Sequence, residues 1–459
     1  MNDETSTAPP TEVEEATSAR GVAAISAALE AGSIDEIKSL TQGLRAPDLA
    51  DVIELLEPDE RVRLVEYLGA DFDPEVMSEL EETVRDQLVE ALPNDVLARV
   101  VTELDTDDAA YVLENLEARD QQEILAQIPS SDRLALERSL EYPEETAGRL
   151  MQTDFVAVPP FWTVGRVIDH MRESDDLPET FTDIFVVDPG YRVLGAIDLS
   201  RLLRTKREVL VERLMEADQH TVAATVDQEE LARQFERYDL KSAPVVDANQ
   251  RLVGVVTVDD IVEVIEEETD EDLRRLAGVG DESIGDSVVS TVRSRFLWLV
   301  INLCTAVMAA SVIKQFDASI EQMVALAVLM PIVASMGGNA GTQTMAVTVR
   351  ALATRDLGPA NRTRIILRES AVGLINGLAF AAILGPIVFF WFGVGPLGAV
   401  IATAMLINLF TAAVAGILVP LTLDRFGFDP AVSSATFVTT ITDVTGFFAF
   451  LGLATVVLL

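Results

Sequence analysis

Apolar positions along this chain follow three different rhythms. From residue 20 to about 140, an apolar residue returns every twelfth position: Leu44, Leu56, Leu68, Leu80, Leu92, Leu104, Leu116, Ile128 and Leu140. Helix starts and stops fall between them, at Glu57 and Pro58, at Pro93, Asn94 and Asp95, at Asp105, Thr106, Asp107 and Asp108, and at Pro129, Ser130, Ser131 and Asp132. Asp, Asn and Ser side chains accept from the free N–H groups that open a helix, and Pro fits its first turn. The period predicts short helices, each too small to bury its own face, stacked into a superhelical solenoid. An irregular all-helical bundle is the alternative.

From Asp154 the pattern shortens to β-branched runs. Residues 184–188 end on Asp188 and are followed by 193–199, which contain Gly195; the same order returns at 243–247, ending on Asp247, and at 252–261, containing Gly254. The two glycines lie 59 residues apart. Each copy reads strand, turn, strand, helix start, so the pair predicts a tandem α/β module. The pattern resembles CBS domains, whose second strand ends in Gly, two apolar residues and Thr or Ser, with Asp three further on. The second copy matches at Gly254, Thr257 and Asp260, whereas the first has Asp198 and Arg201 at the last two positions. Those positions serve a nucleotide's ribose in CBS pairs. ATP is therefore the ligand the resemblance raises, and the first half-site departs from what it requires. Beyond Asp260, the apolar Ile261, Val264, Ile265 and Leu273 fit one face of a helix with carboxylates on the rest, a charged connector.

The third rhythm is continuous. Residues 296–313 and 323–349 carry no charge, 370–423 carry none and are interrupted at Gly393, Gly395 and Pro396, and 430–459 carry only Asp443. Since a span needs roughly 20 apolar residues, five membrane helices are predicted, at about 294–314, 321–350, 365–392, 396–421 and 430–457. Arg293 and Arg295 precede the first span, Arg350, Arg355, Arg362, Arg364 and Arg368 lie between the second and third, and Arg425 lies between the fourth and fifth; the alternate loops hold only Lys314. Basic loops stay on the cytoplasmic side, which places the N-terminal half in the cytosol and the C-terminus outside. Splitting the second span at Pro331 would give six helices and destroy this alternation.

Charge divides the chain the same way. The net charge is −41 over 459 residues, yet 1–290 carry −43 and 291–459 carry +2. A fibrous or fully disordered protein and a single soluble enzyme domain are excluded. So is a nucleic-acid binder built on a basic patch, because the acidic half repels phosphate. Cys304 is the only cysteine and His170 and His220 the only histidines, so donors for soft metals are almost absent while carboxylates suited to hard cations abound. No nucleophile–base pair or phosphate loop accompanies them, and the chain reads as a non-enzyme. Residues 1–19 form an acidic, Thr/Ser/Pro-rich tail read as disordered.

Asp443 stands out inside the last span. It lies about 20 Å along the helix from Pro430 at ~1.5 Å per residue, near mid-bilayer. A buried acid there costs roughly 2.5–3.5 kcal/mol on insertion scales and marks an ion or proton path; the structural alternative is an Asp bonded to neighbouring Thr hydroxyls. Mg²⁺ keeps its waters and takes one or two carboxylates, so Asp443 with Thr hydroxyls and glycine-exposed carbonyls suits a partly hydrated Mg²⁺. Five helices are few for a pore, and a homodimer pairing Asp443 on its axis is the economical solution. In the second span, Pro331 and the run Gly337, Gly338, Asn339, Ala340, Gly341, Thr342 and Gln343 predict an opened backbone lining a cavity, or else close packing through small residues.

That run, the loop 350–357, Asp429-Pro430-Ala431, the stretch Thr442 to Gly446 around Asp443, and the junction 142–151 resemble the MgtE magnesium channels, related in the membrane part to solute carrier family 41. The resemblance covers about residues 30 to 459 and keeps domain order. It implies a homodimeric Mg²⁺ channel of the inner membrane: a helical N domain (20–150), CBS domains at 151–213 and 214–272, a connecting plug helix (263–292) and a five-helix membrane domain (293–459). It further implies a pore site at Asp443 with Thr439, Gly446, Gly338 and Asn339, and cytosolic Mg²⁺ sensing by Asp107, Asp227, Asp239, Asp260, Glu263, Glu268, Glu271, Asp272 and Asp429. The N-domain acid expected one turn after Asp107 is Tyr111 here, which weakens that site or leaves it to Asp108. The competing reading is a carrier of Mn²⁺ or Co²⁺, or a proton-coupled exchanger, with the same architecture.

Overall fold

A computed structural model describes residues 17–174, 177–178, 180–217, 219–279, 288–358, 360–431 and 434–458. Most of the acidic tail, 1–16, lies outside the described residues, as does part of the expected plug helix, 280–287. The chain divides into two compact units, Met1–Glu267 and Glu268–Leu459.

Among the described residues the first unit begins with ten helices: α1 (Ala19–Ala31), α2 (Ile34–Thr41), α3 (Ala46–Glu54), α4 (Pro58–Leu68), α5 (Val76–Glu79), α6 (Glu82–Ala91), α7 (Asn94–Glu103), α8 (Thr106–Leu113), α9 (Ala118–Leu125) and α10 (Ser130–Leu140). Helix starts at 46, 58, 82, 94, 106, 118 and 130 keep the twelve-residue register, and a 3₁₀ turn at Gly69–Asp71 and the short α5 stand where one further start would fall. The recurring Leu closes a helix or follows its end: Leu56, Leu68, Leu80, Leu92 and Ile128 are buried, and Leu44, Leu104, Leu116 and Leu140 pack against the same core. The main partner of most helices is the next but one, as in α2 with α4, α4 with α6, α6 with α8, α7 with α9 and α8 with α10. That alternation is the stacked arrangement the repeat predicts.

Two three-stranded sheets follow. β1 (Ala157–Val158) pairs parallel with β2 (Asp183–Val187), which pairs antiparallel with β3 (Val193–Asp198). β4 (Val222–Ala223), β5 (Ser242–Val246) and β6 (Leu252–Thr257) repeat this order. Both copies shift register at equivalent places, between Val186 and Val187 and between Val245 and Val246. Between strands run α11 (Val164–Glu173), α12 (Leu199–Leu203), α13 (Val211–Leu214) and α14 (Gln228–Tyr238). α15 (Val258–Ala277) leaves the second sheet, and the boundary between the two units falls inside it. The connecting helix therefore starts earlier than expected and closes well before 292. Gly278, in the left-handed region at φ 72, ends it.

The second unit contains α16 (Val288–Lys314), a short α17 (Asp317–Gln322), α18 (Ala325–Ala353), α19 (Arg362–Phe392), α20 (Gly395–Arg425) and α21 (Ser434–Leu458). Among the described residues five helices are long and apolar enough to cross a membrane. α18 starts at Ala325 rather than 321 because 317–322 form a helix of their own. α19 and α20 extend past their apolar runs, as helices can once the backbone is internally bonded. Pro331 and the glycine run do not open α18, which is continuous; the small residues serve close packing instead. α20 is the hub, packed on α18, α19 and α21. α16 meets mainly α21 and leaves Phe296, Leu297, Leu299 and Leu303 exposed.

Candidate cation sites

The first site gathers acids from α8 and the start of α15. Asp107 and Asp108 occupy the first turn of α8, where carboxylates complement the helix dipole. Asp260 sits in the first turn of α15, its Oδ2 accepting from the Thr257 N–H at 3.1 Å and the Thr257 hydroxyl at 2.8 Å. Glu263 lies one turn on. Burial pushes Asp107 well above the usual carboxylate range, with Asp260 and Asp108 adding repulsion. Burial also raises Asp108 to about 7, helped by Asp260 and Asp105. Glu263 rises to about 7 through burial, Asp108 and Asp260. Burial raises Asp260 to about 6 against the two Thr257 bonds. Asp107 is only 9% exposed, and its buried Oδ1 has no hydrogen-bond partner. An unpaired oxygen among mutually repelling carboxylates is what a bound cation would relieve.

Tyr111, one turn beyond Asp107, is engaged elsewhere. Its ring lies 3.5 Å beneath the Arg85 guanidinium. Arg85 is fully buried and bonds Asp86 at 3.2 Å, with Glu114 at 3.8 Å. Burial lifts Glu114 to about 7 although Arg85 and Arg149 oppose the shift.

The second site is in the other unit. Arg275 of α15 bonds Asp429 at 2.7 Å and pairs with Glu271, and Asp429 Oδ1 caps the Ala431 N–H at 2.7 Å. Asp272 is raised by burial, then by Asp429 and Glu268. Leu276 packs against Met345, Val349, Ala431 and Val438, where α18 and α21 meet. Glu268, Glu271, Asp272 and Asp429 thus come together, but around an arginine. Asp227 and Asp239 join neither group. Asp227 caps α14 by accepting from the Glu229 and Glu230 N–H groups, and Asp239 is its left-handed C-cap at φ 50. Asp227 caps with its carboxylate and Asp239 with its backbone, whose N–H bonds the Phe235 carbonyl. Among the described residues no three carboxylate, His or Cys side chains form a ready-made metal cage.

The third site lies in the spans. Asp443 is half-buried near the middle of α21, and among the described residues it takes part in no hydrogen bond or ion pair. The neighbouring threonines do not satisfy it. Thr439 donates to the Ala435 carbonyl, Thr440 to Thr436 at 2.6 Å and Thr442 to Thr439 at 2.9 Å, leaving hydroxyl lone pairs free to face a ligand. Gly338 brings α18 against Thr439, where an added Cβ would sit 3.3 Å from its methyl group. Asn339, beside it, is exposed. Gly446, one turn after Asp443, is buried against Asn408 of α20. Asn408 carries no charge to mark it in the sequence; its signal there is a polar side chain at the centre of an apolar run.

Comparison with known proteins fits this layout. The family model described as a divalent cation transporter matches residues 330–453, the MgtE intracellular N domain matches 44–145, and CBS domains match 147–208 and 211–267. A curated magnesium transporter MgtE of Thermus thermophilus is 35% identical over 437 residues, covering 94% of this chain and 97% of that protein. The chain belongs to the MgtE transporter family. Another member, magnesium transporter MgtE of Bacillus subtilis, is 29% identical and covers 93% of this chain and 95% of its own length. A crystal structure described as the cytosolic domain of the Mg²⁺ channel MgtE in complex with ATP matches with TM-score 0.49 and 30% identity, over 53% of this chain and 99% of that one. Family membership makes this a multi-pass membrane transporter, with the helical stack as its N domain and the paired sheets as its CBS domains.

Proposed function

We propose that this protein conducts Mg²⁺ as a homodimer, through a path that passes Asp443 of each subunit, and that its cytosolic acids close the path when internal Mg²⁺ is plentiful. The observation that carries the reading is Asp443: a carboxylate without a partner among the described residues, inside an apolar span, on a helix held at glycine distance from its neighbour. One carboxylate with hydroxyl oxygens nearby suits a cation that keeps most of its water. The scarcity of sulfur and imidazole donors favours a hard cation held by oxygen ligands over Co²⁺, and the relatives named magnesium transporters favour Mg²⁺ over Mn²⁺. The basic loops support a cytosolic N-terminal half and an outer C-terminus.

For the gate, Asp107, Asp108, Asp260 and Glu263 would share regulatory Mg²⁺, the unpartnered Asp107 Oδ1 supplying the observation that they fit one. Asp272 and Asp429, repelling each other next to Arg275, supply a weaker second group. Asp227, whose Oδ1 already caps α14, and Asp239 are assigned to neither group. The proposed domain limits are 20–150, 151–213, 214–272 and 293–459; the matched segments, 44–145, 147–208, 211–267 and 330–453, lie inside these limits or start up to four residues before them. Asp198, whose carboxylate engages Ser200 and Lys241, occupies a position a CBS nucleotide would need, so ATP is not assigned.

The test is Mg²⁺ entry into liposomes holding the purified protein and a Mg²⁺-sensitive dye, with Mn²⁺ and Co²⁺ as competitors. Saturable Mg²⁺ entry that falls as luminal Mg²⁺ on the N-terminal side rises is expected. Entry of Mn²⁺ or Co²⁺ with Mg²⁺ excluded would support the competing carrier instead.

A further inference from the structure

The amide at the centre of the membrane unit does more than fill space. Asn408 lies midway along α20 and is fully buried. Its Nδ2 donates to the Val333 carbonyl of α18 at 2.8 Å, while its Oδ1 has no hydrogen-bond partner. The carboxamide fills the gap left by two glycines on two other helices. A Cβ on Gly337 of α18 would sit 2.2 Å from Nδ2, and one on Gly446 of α21 would sit 2.8 Å from Nδ2 and 3.1 Å from Oδ1. A side chain at either position would require the Asn408 carboxamide to move.

Three helices therefore converge on one side chain. α18 is held by the hydrogen bond to Val333, and α21 by contact at Gly446. Asp443 lies one turn from Gly446, and Gly337 adjoins Gly338 and Asn339. The packing continues along the same helices: a Cβ on Gly341 would meet Val438 at 2.5 Å, and one on Gly416 would meet the Gly341 carbonyl at 2.8 Å. With backbones this close, a displacement at Asn408 is transmitted to the turn that carries Asp443. Leucine has the same γ-branched skeleton, with bulkier methyl ends, and would leave no buried acceptor unpaired, which is costly in an apolar surround. Asparagine adds a directional tie between α18 and α20 that leucine cannot make.

We infer that Asn408 is a positioning residue for cation passage, fixing the separation between α18 and the Asp443 turn of α21. This rests on the reading of Asp443 as the cation's ligand. The experiment uses the full-length protein in liposomes and measures Mg²⁺ flux, the ratio of Mg²⁺ to Mn²⁺ flux, and the amount of folded protein by size-exclusion chromatography. Asn408→Leu should leave the folded amount near wild type, cut Mg²⁺ flux about tenfold and change the ratio about threefold, the scale of a slightly misplaced binding group. Gly446→Ala should lose flux, and adding Asn408→Ala to it should restore part of that loss by returning the space. Asp443→Ala is run alongside. Wild-type flux in Asp443→Ala would remove the ligand reading and this inference with it. Lost flux in Asp443→Ala beside an Asn408→Leu with normal flux and ratio would overturn this inference alone. So would a loss in Asn408→Leu that merely tracks folded protein at an unchanged ratio, or a double variant no better than Gly446→Ala.

Discussion

The two sets of acids in this chain face opposite electrostatic problems. Asp107, Asp108, Asp260 and Glu263 are crowded, and beyond burial the groups that most raise Asp107, Asp108 and Glu263 are other carboxylates. Asp443 stands apart from other charges, among apolar helices. A crowd of half-buried acids gains much from each cation that arrives and is undone when it leaves, which suits a reversible sensor. A lone acid attracts a cation without caging it, which suits passage. Arg85 sharpens the contrast. In the same helical stack its guanidinium bonds Asp86 and lies 3.8 Å from Glu114; at the Asp107 cluster, on the proposed reading, a soluble cation takes that role and can also depart.

The comparison breaks most visibly at Asp443. Asp443→Ala should cut Mg²⁺ flux by about a hundredfold or more, as removal of a preorganised electrostatic ligand does, while the protein still inserts and folds. Asp443→Asn keeps the shape and loses the charge, so flux between the two would apportion geometry and Coulomb attraction. Undiminished flux in Asp443→Ala would mean the ion takes another route.

Neutralising the crowd should act on closure rather than conduction. Asp260→Asn, Glu263→Gln, Glu268→Gln and Asp272→Asn together should leave a conducting protein whose flux no longer falls at high internal Mg²⁺. Because repulsion at α8 is also relieved, hydrogen-exchange protection of residues 106–113 should be higher than wild type without Mg²⁺ and insensitive to added Mg²⁺. A variant that closes like wild type would sink the sensor assignment and leave the pore reading standing.

Much of this was legible in the sequence because it is periodic. The twelve-residue register, the 59-residue spacing of the two sheets and the five apolar runs each report a local rule, and each reappears in the structure. What the sequence hid depends on packing between distant segments. The glycine run at 337–341 reads as a backbone opening until Asn408 and Val438 are seen filling the space beside it. Asp227 and Asp239 read like the other acids until their backbone partners identify them as helix caps. Arg85 and Tyr111, 26 residues apart in the chain, meet only because α6 and α8 are next-but-one neighbours.

The smallest expected effect is on pH. Burial and neighbouring acids push Asp108 and Glu263 up to about 7, and burial pushes Asp260 up to about 6, in the folded protein, against about 4 in an unfolded chain. A carboxyl raised by folding binds more protons in the folded state between those values. Stability is therefore gained as pH falls through the folded values and is lost as pH rises past them. In chelator, protection of residues 106–113 and of the start of α15, corrected for intrinsic exchange, should rise as pH goes from 8 to 6. Relief on the order of 1 kcal/mol corresponds to about fivefold. Saturating Mg²⁺ should flatten this slope, because a bound cation keeps the carboxylates ionised and competes with protons. High monovalent salt in both arms screens the general acidity of the N-terminal half, leaving the local cluster as the source of any difference. An equal slope with and without Mg²⁺ would mean the crowded acids answer to protons alone and would remove them from the gate.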